Sequence, residues 1–191
     1  MPQLTEVRWH GRGGQGAKTA GYILAEAAAA DGWQIQAFPE YGAERRGAPI
    51  RSYVRISDAP IRMRCPVRNP QIVIVLDDTL LVSEKVTDGA ADDALILVNS
   101  TESIDAVKKR VNALDSQTVC VVDATGISLA TIRRDIPNTP MLGALAKMTE
   151  ILSLEGAKKA VTEKMAGKLS EAILQGNINA IDRAYQEVTS G

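Results

Sequence analysis

With 191 residues, 45% of them hydrophobic, the chain can bury one substantial core, which fits a single domain over residues 1–191. The 22 Lys and Arg residues against 23 Asp and Glu leave a net charge of −1, so no global field selects nucleic acid or a membrane surface. The N-terminus MPQLTEVRW is too polar for a signal peptide, and the longest apolar runs, near 72–76 and 94–98, are too short to span a bilayer, so the expectation is a soluble, cytoplasmic protein.

In chain order, a strand is expected over residues 6–10. Next come a glycine cluster, an alanine-rich helix over 17–30 ending at Asp31-Gly32, and a second strand over 33–38. Residues 50–56 and 61–65 read as an antiparallel hairpin turning at Ser57-Asp58-Ala59-Pro60. Three apolar runs follow, 72–76, 94–98 and 118–122, continuous rather than alternating, as in strands covered on both faces. Helical stretches near 78–85 and 102–112 separate them, and residues 141–189 are helical in composition. The last helix is expected to start at Ser170-Glu171, with Leu174, Ile178, Ile181, Tyr185 and Val188 as its apolar stripe. The fold class is therefore α/β: a layered, largely parallel sheet flanked by helices, with one antiparallel hairpin and a helical C-terminus.

Gly11-Arg12-Gly13-Gly14-Gln15-Gly16 lies between a strand and a helix, where glycines permit a sharp turn and let a phosphate reach backbone N–H groups at the helix start. It contains G-x-G-x-x-G, but two features argue against a dinucleotide. Val7-Arg8-Trp9-His10 alternates instead of forming a buried run, and Gln36 and Ala37 stand where a ribose-binding acid belongs. A strand-to-helix turn binding nothing is the alternative. Residues 39–51 then read Pro39-Glu40-Tyr41-Gly42-Ala43-Glu44-Arg45-Arg46-Gly47-Ala48-Pro49-Ile50-Arg51. Seven arginines and no lysine fall between positions 44 and 68. Guanidinium groups suit phosphates and carboxylates, so Arg45 and Arg46, beside Tyr41 and Glu44, point to an anionic ligand or a subunit seam. Alternation is compatible with Arg51, Arg55, Arg62 and Arg64 forming a solvated hairpin face.

No self-sufficient catalytic set is apparent. His10 is the only histidine and is expected at a strand end. Cys120 sits in an apolar run, Cys65 is isolated, and two such thiols cannot hold an iron–sulfur cluster. Asp77-Asp78 and Asp123 follow strands, where carboxylates can bind metal, but Asp78 and Ser128 suit helix caps equally well. Asn138-Thr139-Pro140-Met141-Leu142-Gly143-Ala144-Leu145 starts a helix near Met141, packed on the sheet or touching a ligand.

The stretches 7–16, 37–49 and 138–144 together resemble the gamma subunit of 2-oxoacid:ferredoxin oxidoreductases, and the Pro-Glu-Tyr-Gly-Ala-Glu form with Arg-Gly-Ala-Pro is similar to the pyruvate branch. The resemblance implies a reaction in which pyruvate, coenzyme A and oxidised ferredoxin give acetyl-CoA, carbon dioxide and reduced ferredoxin. It implies that the chain assembles with alpha, beta and delta subunits and meets ferredoxin only indirectly. Thiamine diphosphate, Mg and iron–sulfur clusters would belong to the partner subunits, and coenzyme A would bind at or near this one. The candidate contacts are Gly11, Arg12, Gly13, Gly14, Gln15, Gly16, Tyr41, Glu44, Arg45 and Arg46, with no catalytic residue and no metal ligand in this chain. Two other readings stay open: a scaffold without a ligand site, and a stand-alone nicotinamide-dependent oxidoreductase.

Overall fold

The computed structural model describes residues 3–40 and 47–191. Strand β1 (Leu4–Arg12) passes through the glycine loop into helix α1 (Ala17–Ala30), followed by β2 (Gln34–Glu40) and β3 (Pro49–Ser57). A second run comprises β4 (Ile72–Val75), α2 (Leu80–Ser83), β5 (Leu95–Asn99), α3 (Ile104–Val111) and β6 (Thr118–Val122). Helices α4 (Ala124–Ile132), α5 (Asn138–Met148), α6 (Leu154–Met165) and α7 (Glu171–Glu187) and a short β7 (Thr189–Ser190) complete the chain.

The strands form one sheet in the order β2-β3-β1-β4-β5-β6-β7. Pairings β1–β4, β4–β5 and β5–β6 are parallel, whereas β2–β3, β3–β1 and β6–β7 are antiparallel. The α/β layered class holds, with parallel pairing confined to the centre. Both faces of that centre are covered. Ile72 and Ile74 turn toward the larger core with α1, α5 and α7, while Val73 and Val75 turn toward Leu80, Leu81, Val107 and Val111. Double coverage is why these strands read as unbroken apolar runs.

The expected hairpin between 50–56 and 61–65 does not form. Strand β3 already has β2 on one edge and β1 on the other, so no edge remains for residues 61–65. That segment instead runs as irregular chain across the polar face of the sheet. Gln36 Nε2 donates to the Met63 carbonyl (2.8 Å) and Arg55 Nη2 to the Cys65 carbonyl (2.9 Å).

Helices start where polar side chains accept their first N–H groups. Ser103 Oγ accepts from Ala106 N, Asp123 Oδ1 from Gly126 N and Ser153 Oγ from Gly156 N. Ser170 precedes α7 as expected, whereas α2 is shorter than the sequence suggests and Ser128 lies inside α4. Helix α5 starts at Asn138, three residues before Met141, because Pro140 tolerates the first turn, where its missing N–H costs nothing. The apolar stripe of α7 is partly displaced: the buried line is Gly176, Asn177, Ala180, Ile181 and Ala184, with Ile178 and Tyr185 packed at its margin. Small residues occupy the middle because α5 crosses close by, and a Cβ at Gly143 would stand 2.8 Å from the Ile181 carbonyl carbon.

Candidate functional site

The glycine loop sits where the three sequence motifs meet. Gly13 N donates to the Ala48 carbonyl (3.0 Å) and Gly47 N to the Gly13 carbonyl (3.1 Å), stitching the loop to the start of β3. Gly14 (φ +109°) and Gly16 (φ +86°) adopt left-handed conformations that a side chain would strain. A Cβ on Gly16 would also stand 2.7 Å from Asn138 Cγ, so the loop is pressed against the first residue of α5. The 14-residue helix α1 begins directly behind it, with its N–H groups and positive dipole end turned toward the loop.

Helix α1 lies on one face of the sheet, and α2 and α3 on the other. The carboxyl ends of the neighbouring parallel strands β1 and β4 therefore flank a topological switch point, where open α/β sheets gather ligands. In this protein a polar network spans that point. Arg12 Nε lies 3.3 Å from Asp77 Oδ2, Arg12 Nη2 donates to Thr79 Oγ1 (2.8 Å) and Nη1 to the Gly47 carbonyl (3.2 Å). Gln15 is used at both ends: Oε1 accepts from Arg12 N (2.7 Å) and Nε2 donates to Asp77 Oδ2 (2.7 Å). Burial pushes the Asp77 carboxyl up, but hydrogen bonds from Thr79 and Gln15 and the Arg12 charge outweigh it and hold it below the ordinary carboxylate range. Arg12 and Gln15 thus build the loop from inside.

Beside this network a cleft of about 260 Å³ opens over the ends of β4, β5 and β6, with Asp77, Asp78, Asp123 and Asp135 in its wall. Asn99 organises it, donating to the Leu76 carbonyl (2.8 Å) and Thr125 Oγ1 (2.9 Å) while accepting from Thr125 N (3.1 Å). Four carboxylates repel a phosphate, so the cleft suits anion recognition poorly. Among the described residues no three His, Cys, Asp or Glu side chains are placed to hold a metal ion. Cys120 is buried, with its thiol pushed up to about 12 by burial, and Cys65 is exposed.

The alternation of β1 conceals a second buried face. Arg8 and His10 are as enclosed as Val7 and Trp9, because residues 80–88 close over them; Arg8 Nη2 donates to the Val86 (2.9 Å) and Asp88 (2.7 Å) carbonyls. His10 is therefore not at a solvated strand end. Its pKa is pushed down to about 3, first by burial and then by the charges of Arg8 and Arg51, so it is neutral in the folded protein. A depressed histidine pKa means that the unfolded chain takes up a proton below about 6.5 while the folded one does not until about 3. Stability should fall as pH drops through that window, by at most about 1.4 kcal/mol per pH unit from this group. Urea titrations of wild type and His10→Asn between pH 7 and 4.5 (working range of about 2.5 units) should differ in slope; identical slopes would remove His10 from the account.

The four arginines assigned to one solvated face divide. Arg62 and Arg64 are exposed, Arg51 pairs with Glu84 (3.0 Å), but Arg55 is fully buried. Its Nε pairs with Glu6 (2.7 Å) and Nη1 donates to Gln36 Oε1 (2.8 Å). Glu40 ends β2, two strands from β1 because β3 lies between them, and it accepts the Tyr53 hydroxyl. That separation removes the ribose-binding acid of a dinucleotide fold from the glycine loop. Tyr41, Glu44, Arg45 and Arg46 lie outside the described residues.

The pattern of the pyruvate ferredoxin/flavodoxin oxidoreductase family matches residues 6–187. The chain belongs to this family. It is 48% identical to the pyruvate synthase subunit PorC of Thermotoga maritima over 183 residues, 96% of this chain and 94% of that one. The crystal structure of the Thermotoga maritima pyruvate oxidoreductase subunit superposes with a TM-score of 0.88 at 44% identity, over 99% of both chains. The common gamma subunit of the pyruvate/ketoisovalerate oxidoreductases of Thermococcus kodakarensis is 41% identical over 96% of this chain and 97% of its own. A 2-oxoglutarate:ferredoxin oxidoreductase from Magnetococcus marinus, solved with 2-oxoglutarate, coenzyme A and succinyl-CoA bound, shares the fold. Its TM-score is 0.78 at 18% identity, over 96% of this chain and 31% of that one. The protein is thus a gamma-type subunit of a multi-subunit 2-oxoacid:ferredoxin oxidoreductase of the pyruvate type. Among the described residues no helix is long and apolar enough to cross a membrane.

Proposed function

We propose that this gamma-type subunit helps to hold coenzyme A during the oxidative decarboxylation of pyruvate and assembles, as one domain in the cytoplasm, with alpha, beta and delta subunits. Thiamine diphosphate, Mg and iron–sulfur clusters then reside in those partners, which carry out decarboxylation and pass electrons to ferredoxin, and this chain is inactive alone. The observation that carries the reading is the convergence at the start of α1: a loop of Gly11, Gly13, Gly14 and Gly16, bonded to Gly47-Ala48 and seated on Asn138.

Coenzyme A carries a pyrophosphate and a 3′-phosphate. Backbone N–H groups at a helix start and guanidinium forks bind such groups without a dinucleotide fingerprint. Gly13 N is already committed to Ala48, so Gly14, Gly16 and the first turn of α1 are the proposed donors. Arg12 and Gln15 shape the loop, and the charge for the phosphates is assigned to Arg45 and Arg46, with Tyr41 and Glu44 beside them in sequence. In the reconstituted complex, Arg45→Ala with Arg46→Ala should raise the KM for coenzyme A about tenfold or more, since each charge-assisted hydrogen bond is worth about 1.5–3 kcal/mol. An unchanged KM removes both from the site. The internal use of Arg12 and Gln15 favours, as the second reading, a scaffold without a ligand site; it gains if neither the complex nor the isolated chain binds coenzyme A while co-purification persists. A nicotinamide enzyme would instead require the isolated chain to bind NAD(P).

A further inference from the structure

We infer that Asp77 is the positioning residue of the glycine loop, fixing the backbone that receives the phosphates, an inference that rests on the coenzyme A reading above. Asp77 lies just beyond the end of a different strand, β4, yet it is the common acceptor for the side chains of Arg12 and Gln15. Its Oδ2 takes the Gln15 amide at 2.7 Å and faces Arg12 Nε at 3.3 Å. Its Oδ1 takes Thr79 N at 3.0 Å, which anchors the carboxylate from below, and Thr79 Oγ1 in turn accepts from Arg12. Gln15 then returns to Arg12 N through Oε1, closing a ring that runs from the turn after β4 through both side chains to the loop backbone. Gly14 and Gly16 have no side chains of their own to hold their N–H vectors, and of the two only Gly16 rests against Asn138. The ring sets the turn between them from outside, and preorganised donors bind an anion without first paying for order.

The ring has a second consequence. An unpaired Arg12 would offer a cation to an incoming phosphate, but paired with Asp77 it is largely neutralised and held beside that carboxylate. Asp77 therefore has two opposite influences on anion binding: its own charge repels, and its hydrogen bonds preorganise. The Asp77 charge is largely compensated by Arg12 and by the N–H groups of Gln15 and Thr79, so the repulsion is weakened and preorganisation dominates.

The test uses the reconstituted complex and coenzyme A itself. Asp77→Asn should raise the KM for coenzyme A about five- to tenfold with a much smaller change in kcat, the pattern of lost binding order rather than lost chemistry. In a Gln15→Ala background the same substitution should add no more than about twofold, because the ring is already open. Thr79→Val, which removes the hydroxyl that links Asp77 to Arg12, should give an intermediate rise and serves if Asp77→Asn fails to assemble. A KM that falls would show electrostatic repulsion to be the larger effect, and fully multiplicative effects would show that Asp77 does not act through Gln15; either overturns the inference. Gly14→Ala strains the loop backbone directly, with no neighbour among the described residues within 4 Å of the added Cβ. If Gly14→Ala raises the KM and Asp77→Asn does not, positioning by Asp77 fails alone. If Gly14→Ala also leaves it unchanged, the coenzyme A reading fails and the inference with it.

Discussion

Gly143→Ala should lower the unfolding free energy by about 3 kcal/mol or more, the upper end of what overpacking a tight interior costs. The added methyl would overlap the Ile181 carbonyl oxygen and stand 2.8 Å from both the carbonyl carbon and Cα of Ile181. Those are backbone atoms of α7, so no side-chain rotamer relieves the contact; α5 and α7 must separate. Separation loosens Met141, Leu142, Leu145 and Ala180, all buried in the same core. The urea midpoint of the isolated chain measures the loss, and a midpoint within error of wild type would show that the two helices have room to give. Because α5 also presses Asn138 on Gly16, the substitution should disturb the glycine loop from a distance, visible as increased hydrogen exchange at the N-terminus of α1.

Arg55→Ala is expected to cost about 3–5 kcal/mol, comparable to or larger than the glycine substitution, because it leaves Glu6 without its cation in a largely enclosed site. The Arg55 side chain is 1% exposed and that of Glu6 13%. Besides Glu6, the guanidinium serves Gln36 and the Cys65 carbonyl and lies over the Phe38 ring, so it joins β1, β2, β3 and the covering segment. Arg55→Lys should recover only part of the loss, since an ammonium cannot reach three partners in one plane. Equilibrium denaturation of the three proteins decides it. A loss below about 1 kcal/mol for Arg55→Ala would mean that water takes over the role of the guanidinium, as it does for surface pairs.

Arg55 also illustrates where the sequence could mislead. Alternation along β1 and β3 has the same period whether the polar face meets solvent or a covering segment. Arg8, His10 and Arg55 look like surface residues in such a pattern. They are buried because residues 61–65 and 80–88 carry backbone carbonyls over that face, and carbonyl acceptors are invisible in residue types. The misplaced hairpin has the same origin: local turn chemistry at Ser57-Asp58-Ala59-Pro60 is real, but pairing depends on which strand edges are vacant, a property of the whole sheet. The glycine loop was legible because its glycines answer a local need for left-handed backbone. The role of Asp77 was half legible, as a carboxylate after a strand, without the partner that gives it purpose.

What the sequence determined by itself is the strand–helix alternation from residue 72 to residue 122, the doubly covered centre of the sheet, the strand–glycine–helix unit, and, through three motifs taken together, the family. These follow from local chemistry: apolar runs need two covers, positive φ needs glycine, and helix starts need acceptors. Only the tertiary structure decided the insertion of β3 between β1 and β2, the burial of Arg8, His10 and Arg55, and the ring of Arg12, Gln15, Asp77 and Thr79. Each of these depends on groups far apart in the chain meeting at one place, with hydrogen bonds and desolvation weighed there rather than along the sequence. A residue's type specifies what it can bond to; the fold specifies what stands within reach.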